Sequence, residues 1–92
     1  MILSFADKDT ALLFSGTRVR RFMSIEAVIR RKLAQLNAAA TLDFLRAPPG
    51  NRLEALRGGR SGQFSIRIND QFRICFRWQD GDVSHVEIVD YL

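Results

Sequence analysis

The sequence predicts an α+β domain in which two to three helices pack on one face of a small, mainly antiparallel sheet, with a further strand at the N-terminus. Three observations carry this reading. The chain has 92 residues, 47% of them hydrophobic and 26% charged, which suits one hydrophobic core and a globular rather than a disordered chain. Apolar residues recur at helical spacing in the first half. In the second half they alternate with polar residues, the period of strands that bury one face. Residues 1–92 are accordingly read as a single compact domain.

Ile2 to Phe5 is a short apolar stretch with the length of a strand. Asp7 or Asp9 caps a short helix carrying Ala11, Leu12, Leu13 and Phe14, which Ser15-Gly16 ends. Thr17 to Phe22 is a basic connector. Ser24 is the expected cap of the clearest helix, where Ile25, Val28, Ile29, Leu33 and Leu36 share a face and Glu26, Arg30, Arg31 and Gln35 fall mostly elsewhere. Thr41 caps a further turn, Leu42 to Arg46, and Pro48-Pro49-Gly50-Asn51 stops it. Three antiparallel strands follow. Phe64, Ile66 and Ile68 alternate with Gln63, Ser65 and Arg67. Phe72, Ile74, Phe76 and Trp78 alternate with Arg73, Cys75 and Arg77. Val86 and Ile88 continue after the Asp80-Gly81-Asp82 turn.

Charge points toward a partner. The net charge is +4 and twelve of the fourteen cations are Arg. A guanidinium matches a phosphate bidentately and stacks on bases, whereas Lys acts as a point charge. The charge is also uneven: residues 17–77 hold nearly all of the cations, and residues 78–92 hold four acids and no Lys or Arg. Such a surface favours a polyanion, either nucleic acid or an acidic protein, over a merely solvated one. No apolar run approaches the ~20 residues of a membrane helix, and the N-terminal residues lack the features of a signal peptide. One Cys and one His, Cys75 and His85, make neither an internal disulfide nor a structural zinc site. The expectation is a cytoplasmic protein with no metal and no cofactor.

Parity of the strands shows which side chains share the open face. Residues directly paired in an antiparallel hairpin point the same way. A two-residue Asn69-Asp70 turn sets Arg67 against Phe72 and scrambles the faces. An odd loop, Asn69-Asp70-Gln71, pairs Ile68 with Phe72, Ile66 with Ile74 and Phe64 with Phe76. It also sets Arg67 opposite Arg73. The same rule at the next turn pairs Phe76 with Val86, Ile74 with Ile88 and Arg77 with His85. The face away from the core then collects Arg67, Arg73, Arg77, His85, Glu87, Val89 and Tyr91, with Cys75 beside them. Two arginines across a strand pair repel. Either their heads fan into water, or Glu87 and the C-terminal acids neutralise them, or they await an anion such as a phosphodiester. Just upstream, Gly58, Gly59 and Gly62 let the backbone bend close to a ligand, with Arg57 and Arg60 projecting. The alternative there is a plain connecting loop. It is not a phosphate-loop motif, since no Gly-Lys-Ser/Thr ends it.

These residues resemble those of the HigB-type toxins, the killer proteins of plasmid maintenance systems, within the RelE/ParE toxin superfamily. The resemblance lies in Met1-Ile2-Leu3-Ser4-Phe5, in Leu53-Glu54-Ala55-Leu56-Arg57-Gly58-Gly59-Arg60-Ser61-Gly62, in Ser65 to Phe76, and in the ending Val86-Glu87-Ile88-Val89-Asp90-Tyr91. It implies a RelE-like α+β toxin of a type II toxin–antitoxin system, an endoribonuclease that enters the A site of the small ribosomal subunit and cuts mRNA there. It also implies a helix-turn-helix antitoxin of the HigA type, through which alone DNA is contacted, and no membrane. The family's loop positions fall on Arg57 and Arg60, its strand positions on Arg67 and Arg73, and its terminal positions on Asp90 and Tyr91. Two positions depart from the family. Glu54 stands where a loop histidine is frequent, and Leu92 replaces a terminal histidine.

The implied chemistry is attack of the RNA's own 2′-hydroxyl on the adjacent phosphate without a metal. It needs a base, cations for the developing charge, and an acid for the leaving 5′-oxygen. Arg73 and Arg67 suit the charge, and Arg57, Arg60 and Arg77 suit phosphate binding. Tyr91 can donate a hydrogen bond, stack on a base, or act as base if arginines lower its pKa. Asp90 can act as base or pair with an Arg, although parity puts it on the side of Phe72. The Leu92 carboxylate is a minor candidate. His85 reads as a solvated surface residue, Cys75 as a packed thiol, and Trp78 with the Phe row as core. Two other readings compete: a ParE-like inhibitor of DNA gyrase and an RNA-binding module without catalysis.

Overall fold

A computed structural model describes all residues, 1–92. Two helices, α1 (Lys8–Phe14) and α2 (Glu26–Ala38), cover one face of a four-stranded antiparallel sheet in the order β1-β2-β3-β4. The strands are β1 (Glu54–Ala55), β2 (Gln63–Arg67), β3 (Phe72–Gln79) and β4 (Asp82–Asp90). Short 3₁₀ turns at Arg20–Ile25, Asp43–Arg46 and Gly58–Arg60 join them. The core lies between Leu13, Phe22, Ile29, Leu33, Leu36 and Leu45 on the helical side and Ile66, Ile74, Phe76, Val83, Val86 and Ile88 on the sheet. No helix is long and apolar enough to cross a membrane.

Asp7 is the cap of α1: its carboxylate accepts from the Thr10 N–H at 3.1 Å and from the Thr10 hydroxyl at 2.6 Å. The buried Thr10 oxygen in turn accepts from the Ile88 N–H at 3.2 Å, tying the helix to β4. The Thr41 hydroxyl accepts from the Phe44 N–H, as the sequence predicts. Ser24 does not cap α2. It sits inside the 3₁₀ turn Arg20–Ile25, which runs straight into the helix, and a capping side chain needs an extended residue at that point. The first turn is secured instead by Glu26, buried and paired with Arg30 at 2.5 Å and Arg18 at 3.5 Å.

The register of β2 with β3 is the predicted one, with Phe64 opposite Phe76, Ile66 opposite Ile74 and Arg67 opposite Arg73. The fourth strand, β1, comes from the loop before β2 and pairs Glu54 with Ser65. The β3–β4 connection departs from expectation. Asp80 and Gly81 both take positive φ, at 50° and 88°, and make a two-residue turn of the mirror-image type that hairpins favour. Gln79 therefore pairs with Asp82, and a bulge follows, so that Arg77 meets Ser84 rather than His85. The cause is the spacing of Val83 and Val86. Both are fully buried, three residues apart, which a regular strand cannot place on one face. His85, at φ 53°, is the extra residue that brings both to the core.

The N-terminal segment does not form a full strand but bridges the free edge of β4 in parallel, Ile2 to Val83 and Phe5 to Val86. The Ser4 hydroxyl accepts from the bulged His85 N–H at 2.9 Å.

Candidate active site

The β2–β3 hairpin closes through Asn69, whose side-chain oxygen accepts from the N–H groups of Gln71 and Phe72 at 2.9 and 2.8 Å. This fixes the odd loop that sets Arg67 against Arg73. Behind that pair, Ser65 opposes Cys75. Both are fully buried although they lie on the face away from the core, because larger side chains fold over them. The two small residues thus form a covered floor beneath the side chains of Arg73 and Tyr91.

Arg73 lies across this floor with its side chain only 12% exposed. Its Nε donates to the Ser65 hydroxyl at 2.8 Å, and its Nη2 donates to the carbonyl oxygens of Arg52 and Ser65 at 2.6 and 3.3 Å. Its Nη1 stands 3.7 Å from Glu54. Arg67 turns the other way, to Asp70 at 2.5 Å. Arg60 is held by Glu87 at 2.7 Å and Gln63 at 3.1 Å. The hydrogen bond to Glu87 is the main cause that pushes Arg60 further up and keeps it charged. The facing arginines are therefore kept apart by acids of this chain. Glu54 and Asp70 take the neutralising role that one of the sequence alternatives gives to Glu87 and the C-terminal acids, and Glu87 serves Arg60.

Above the floor opens a hollow of about 290 Å³, lined by Arg52, Arg67 and Arg73, by the acids Glu54 and Asp70, and by Asn69 and Tyr91. Tyr91 is 48% exposed and reaches back across the sheet, its hydroxyl 3.6 Å from the Cys75 sulfur. Its backbone N–H donates to the Gln71 carbonyl at 2.7 Å, which fixes the strand end. Burial, followed by the contact with Cys75, pushes the phenol above its ordinary value despite Arg60 and Arg73 nearby. The Tyr91 phenol thus keeps its proton at neutral pH and is not the base that a lowered pKa would make it. Burial likewise pushes the Cys75 thiol up, as befits a packed group.

Of the residues the sequence nominates, Arg67, Arg73 and Tyr91 come together at the hollow. Arg60 stands close enough to Tyr91 and Cys75 to bear on both electrostatically. Arg57 and Arg77 are exposed beside the glycine-rich bend, where a side chain at Gly62 would meet Arg77 Nη1 at 3.3 Å. Asp90 pairs with Phe72 and lies outside the hollow. The Leu92 N–H at 2.9 Å and the Gln71 amide at 3.0 Å hold its carboxylate below the usual range. His85 sits at the bulge beside Ser84.

The residues that sequence reasoning missed are Arg52, Ser65, Asn69 and Asp70, and it marked Glu54 only as a departure. Parity carries a signal for Ser65, which is diagonal to Arg73 on the same face. Nothing in the sequence marks Arg52.

This arrangement of strands is found in solved structures of Staphylococcus aureus YoeB–YefM toxin–antitoxin complexes. One matches with a TM-score of 0.62 at 15% identity, over 100% of this chain and 98% of the other. A second matches with a TM-score of 0.58 at 18% identity, over 95% and 93%. The fold is that of the RelE-like toxins. Residues 3–92 match the model of the HigB-like toxins, RelE-like toxins of the type II toxin–antitoxin system HigB. Toxin HigB-1 of Vibrio cholerae serotype O1 is 43% identical over 83 residues, covering 88% of this chain and 87% of that protein. The chain belongs to the HigB-like toxin family of type II toxin–antitoxin systems.

Proposed function

We propose that this toxin is a ribosome-dependent endoribonuclease that cleaves mRNA in the ribosomal A site and so arrests translation. The observation that carries the reading is the hollow itself, in which three guanidinium groups, two carboxylates and a protonated phenol meet on one sheet face. A phosphodiester suits this set, since the cations match its charge and the other groups can move protons.

In the reaction, the 2′-oxygen attacks phosphorus and the bond to the 5′-oxygen breaks, leaving a 2′,3′-cyclic phosphate and a 5′-hydroxyl. Glu54, on the rim at β1, takes the 2′ proton. Arg73 and Arg67 stabilise the charge that develops on the phosphate oxygens. Tyr91 gives its proton to the leaving 5′-oxygen. Arg57, Arg60 and Arg77 guide the flanking backbone of the message. The partner that restrains the toxin is a helix-turn-helix antitoxin of the HigA type, and the site of action is the bacterial cytoplasm.

The test is incubation of the purified protein with programmed ribosomes carrying a defined mRNA, with free mRNA alongside, and mapping of the 5′ ends. Cuts confined to ribosome-bound message are expected. Gyrase-linked DNA breaks without RNA cuts support a ParE-like inhibitor instead, and RNA binding without cuts supports a non-catalytic module.

A further inference from the structure

The hollow holds three guanidinium groups and two carboxylates. Arg67 and Arg73 account for both acids, through Asp70 and Glu54. Arg52 takes part in none of the six ion pairs of the chain. The uncompensated positive charge of the hollow is therefore its own, and it equals the charge of one phosphodiester in magnitude.

The backbone of Arg52 supplies an independent observation. Its φ is +45°, in the left-handed region where a β-carbon is disfavoured and Gly or Asn is better suited. The surroundings impose that shape. Asn51, fully buried, accepts from Lys32 Nζ at 2.6 Å and donates to Gln35 and to the Leu45 carbonyl at 3.0 and 3.1 Å. The Asn51 carbonyl takes the Arg67 N–H, and the Arg52 carbonyl takes Arg73 Nη2 at 2.6 Å. Those duties fall to the main chain, which any residue supplies. The guanidinium at 52 thus does nothing for the interior, and its backbone is shaped for a different residue. Such an outlier points to function.

We propose that Arg52 is a further phosphate-binding residue of the RNA site, the cation there with no acid partner, which adds its contact to the phosphodiester to those of Arg67 and Arg73. This rests on the RNA-cleaving reading and adds a ligand contact to it.

The test measures cleavage of message on programmed ribosomes under single turnover, across a potassium chloride series, for Arg52→Gly, Arg52→Asn and Arg52→Lys. Gly and Asn fit the left-handed backbone, so both variants are expected to melt no lower than the parent. Their half-saturating concentration rises about tenfold, as for one lost charge-assisted contact, and Arg52→Lys keeps most of the affinity. The logarithmic salt dependence flattens by roughly 0.7, the share of one phosphate on a single strand. Parental half-saturation and salt slope in Arg52→Gly, with Arg73→Ala inactive, overturn the proposal and leave the RNA-cleaving reading standing. Lowered melting in both Gly and Asn variants, with affinity that Lys does not restore, overturns it in favour of a structural role. A parent protein that cuts no ribosome-bound message overturns the underlying reading and the proposal together.

Discussion

The Tyr91 hydroxyl stands 3.6 Å from the Cys75 sulfur, so the side chain that follows β4 lies back over the buried floor of the sheet. The contact joins a half-exposed phenol to a fully buried thiol. Each group is pushed toward its protonated form, in both cases chiefly by burial.

Tyr91→Phe keeps the ring and removes the proton. Cleavage on programmed ribosomes is expected to fall by about 10²-fold, the usual worth of a positioned acid. The melting temperature stays within a degree or two, because the ring remains. Loss of stability without loss of cleavage would contradict the donor role.

Cys75 is expected to resist alkylation by iodoacetamide at neutral pH in the folded protein and to react once the chain is unfolded in urea. A buried thiol with a raised pKa offers little thiolate. Mass spectrometry of the labelled protein checks this.

Glu54→Gln removes the proposed proton acceptor. The side chain is 59% exposed and its contact with Arg73 is 3.7 Å long, so the stability change stays below about 1 kcal/mol. Cleavage is expected to drop by about 10²- to 10⁴-fold. A variant that cuts like the parent would require another base.

Asn51→Ala leaves Lys32 Nζ and the Leu45 carbonyl without their partner in the interior. The expected loss is about 2–4 kcal/mol in urea unfolding, from unsatisfied buried groups. It is a fold-level effect, and cleavage per folded molecule should change far less than in Glu54→Gln.

Asp90 contributes to stability through a carboxylate held below its ordinary value of 3.8, first by the Leu92 N–H and then by Gln71. A lowered acid stabilises the fold above its unfolded pKa, and the contribution is lost as pH falls through the lower folded value. The difference in stability between the parent and Asp90→Asn is therefore expected near neutrality and should vanish under strong acid. Cleavage should change little, since Asp90 lies outside the hollow. Urea titrations at several pH values, with cleavage assays alongside, check both points.

Parity made the central hairpin legible, because Phe64, Ile66 and Ile68 can face Phe72, Ile74 and Phe76 in one register only, and Arg67 then has to meet Arg73. The same rule failed at the next turn. An odd Asp80-Gly81-Asp82 loop gives Val86 and Ile88 the right face but puts Val83 on the wrong one. The pair Val83 and Val86, three residues apart, was the available sign of a bulge. Helix entry at Ser24 is not legible, because a cap residue is recognised by type, whereas the preceding 3₁₀ turn depends on how Phe22 packs. The site was legible where it rests on alternation, as at Arg67, Arg73 and Tyr91. It was not legible at Arg52, whose place depends on a left-handed backbone that no Arg announces.

The bulge at His85 also governs how the sheet ends. Ile2 and Phe5 repeat the three-residue spacing of Val83 and Val86, and Ser4 fills the gap by accepting the extra N–H. The two segments fit like a key in its slot: sliding the N-terminus by one residue breaks all three matches, so only one docking phase exists. On the outer side, the Ile2 N–H is already taken by Asn37 of α2 at 3.0 Å. A further strand arriving from another molecule finds a short, kinked border with its first donor occupied, a poor template for edge-to-edge growth.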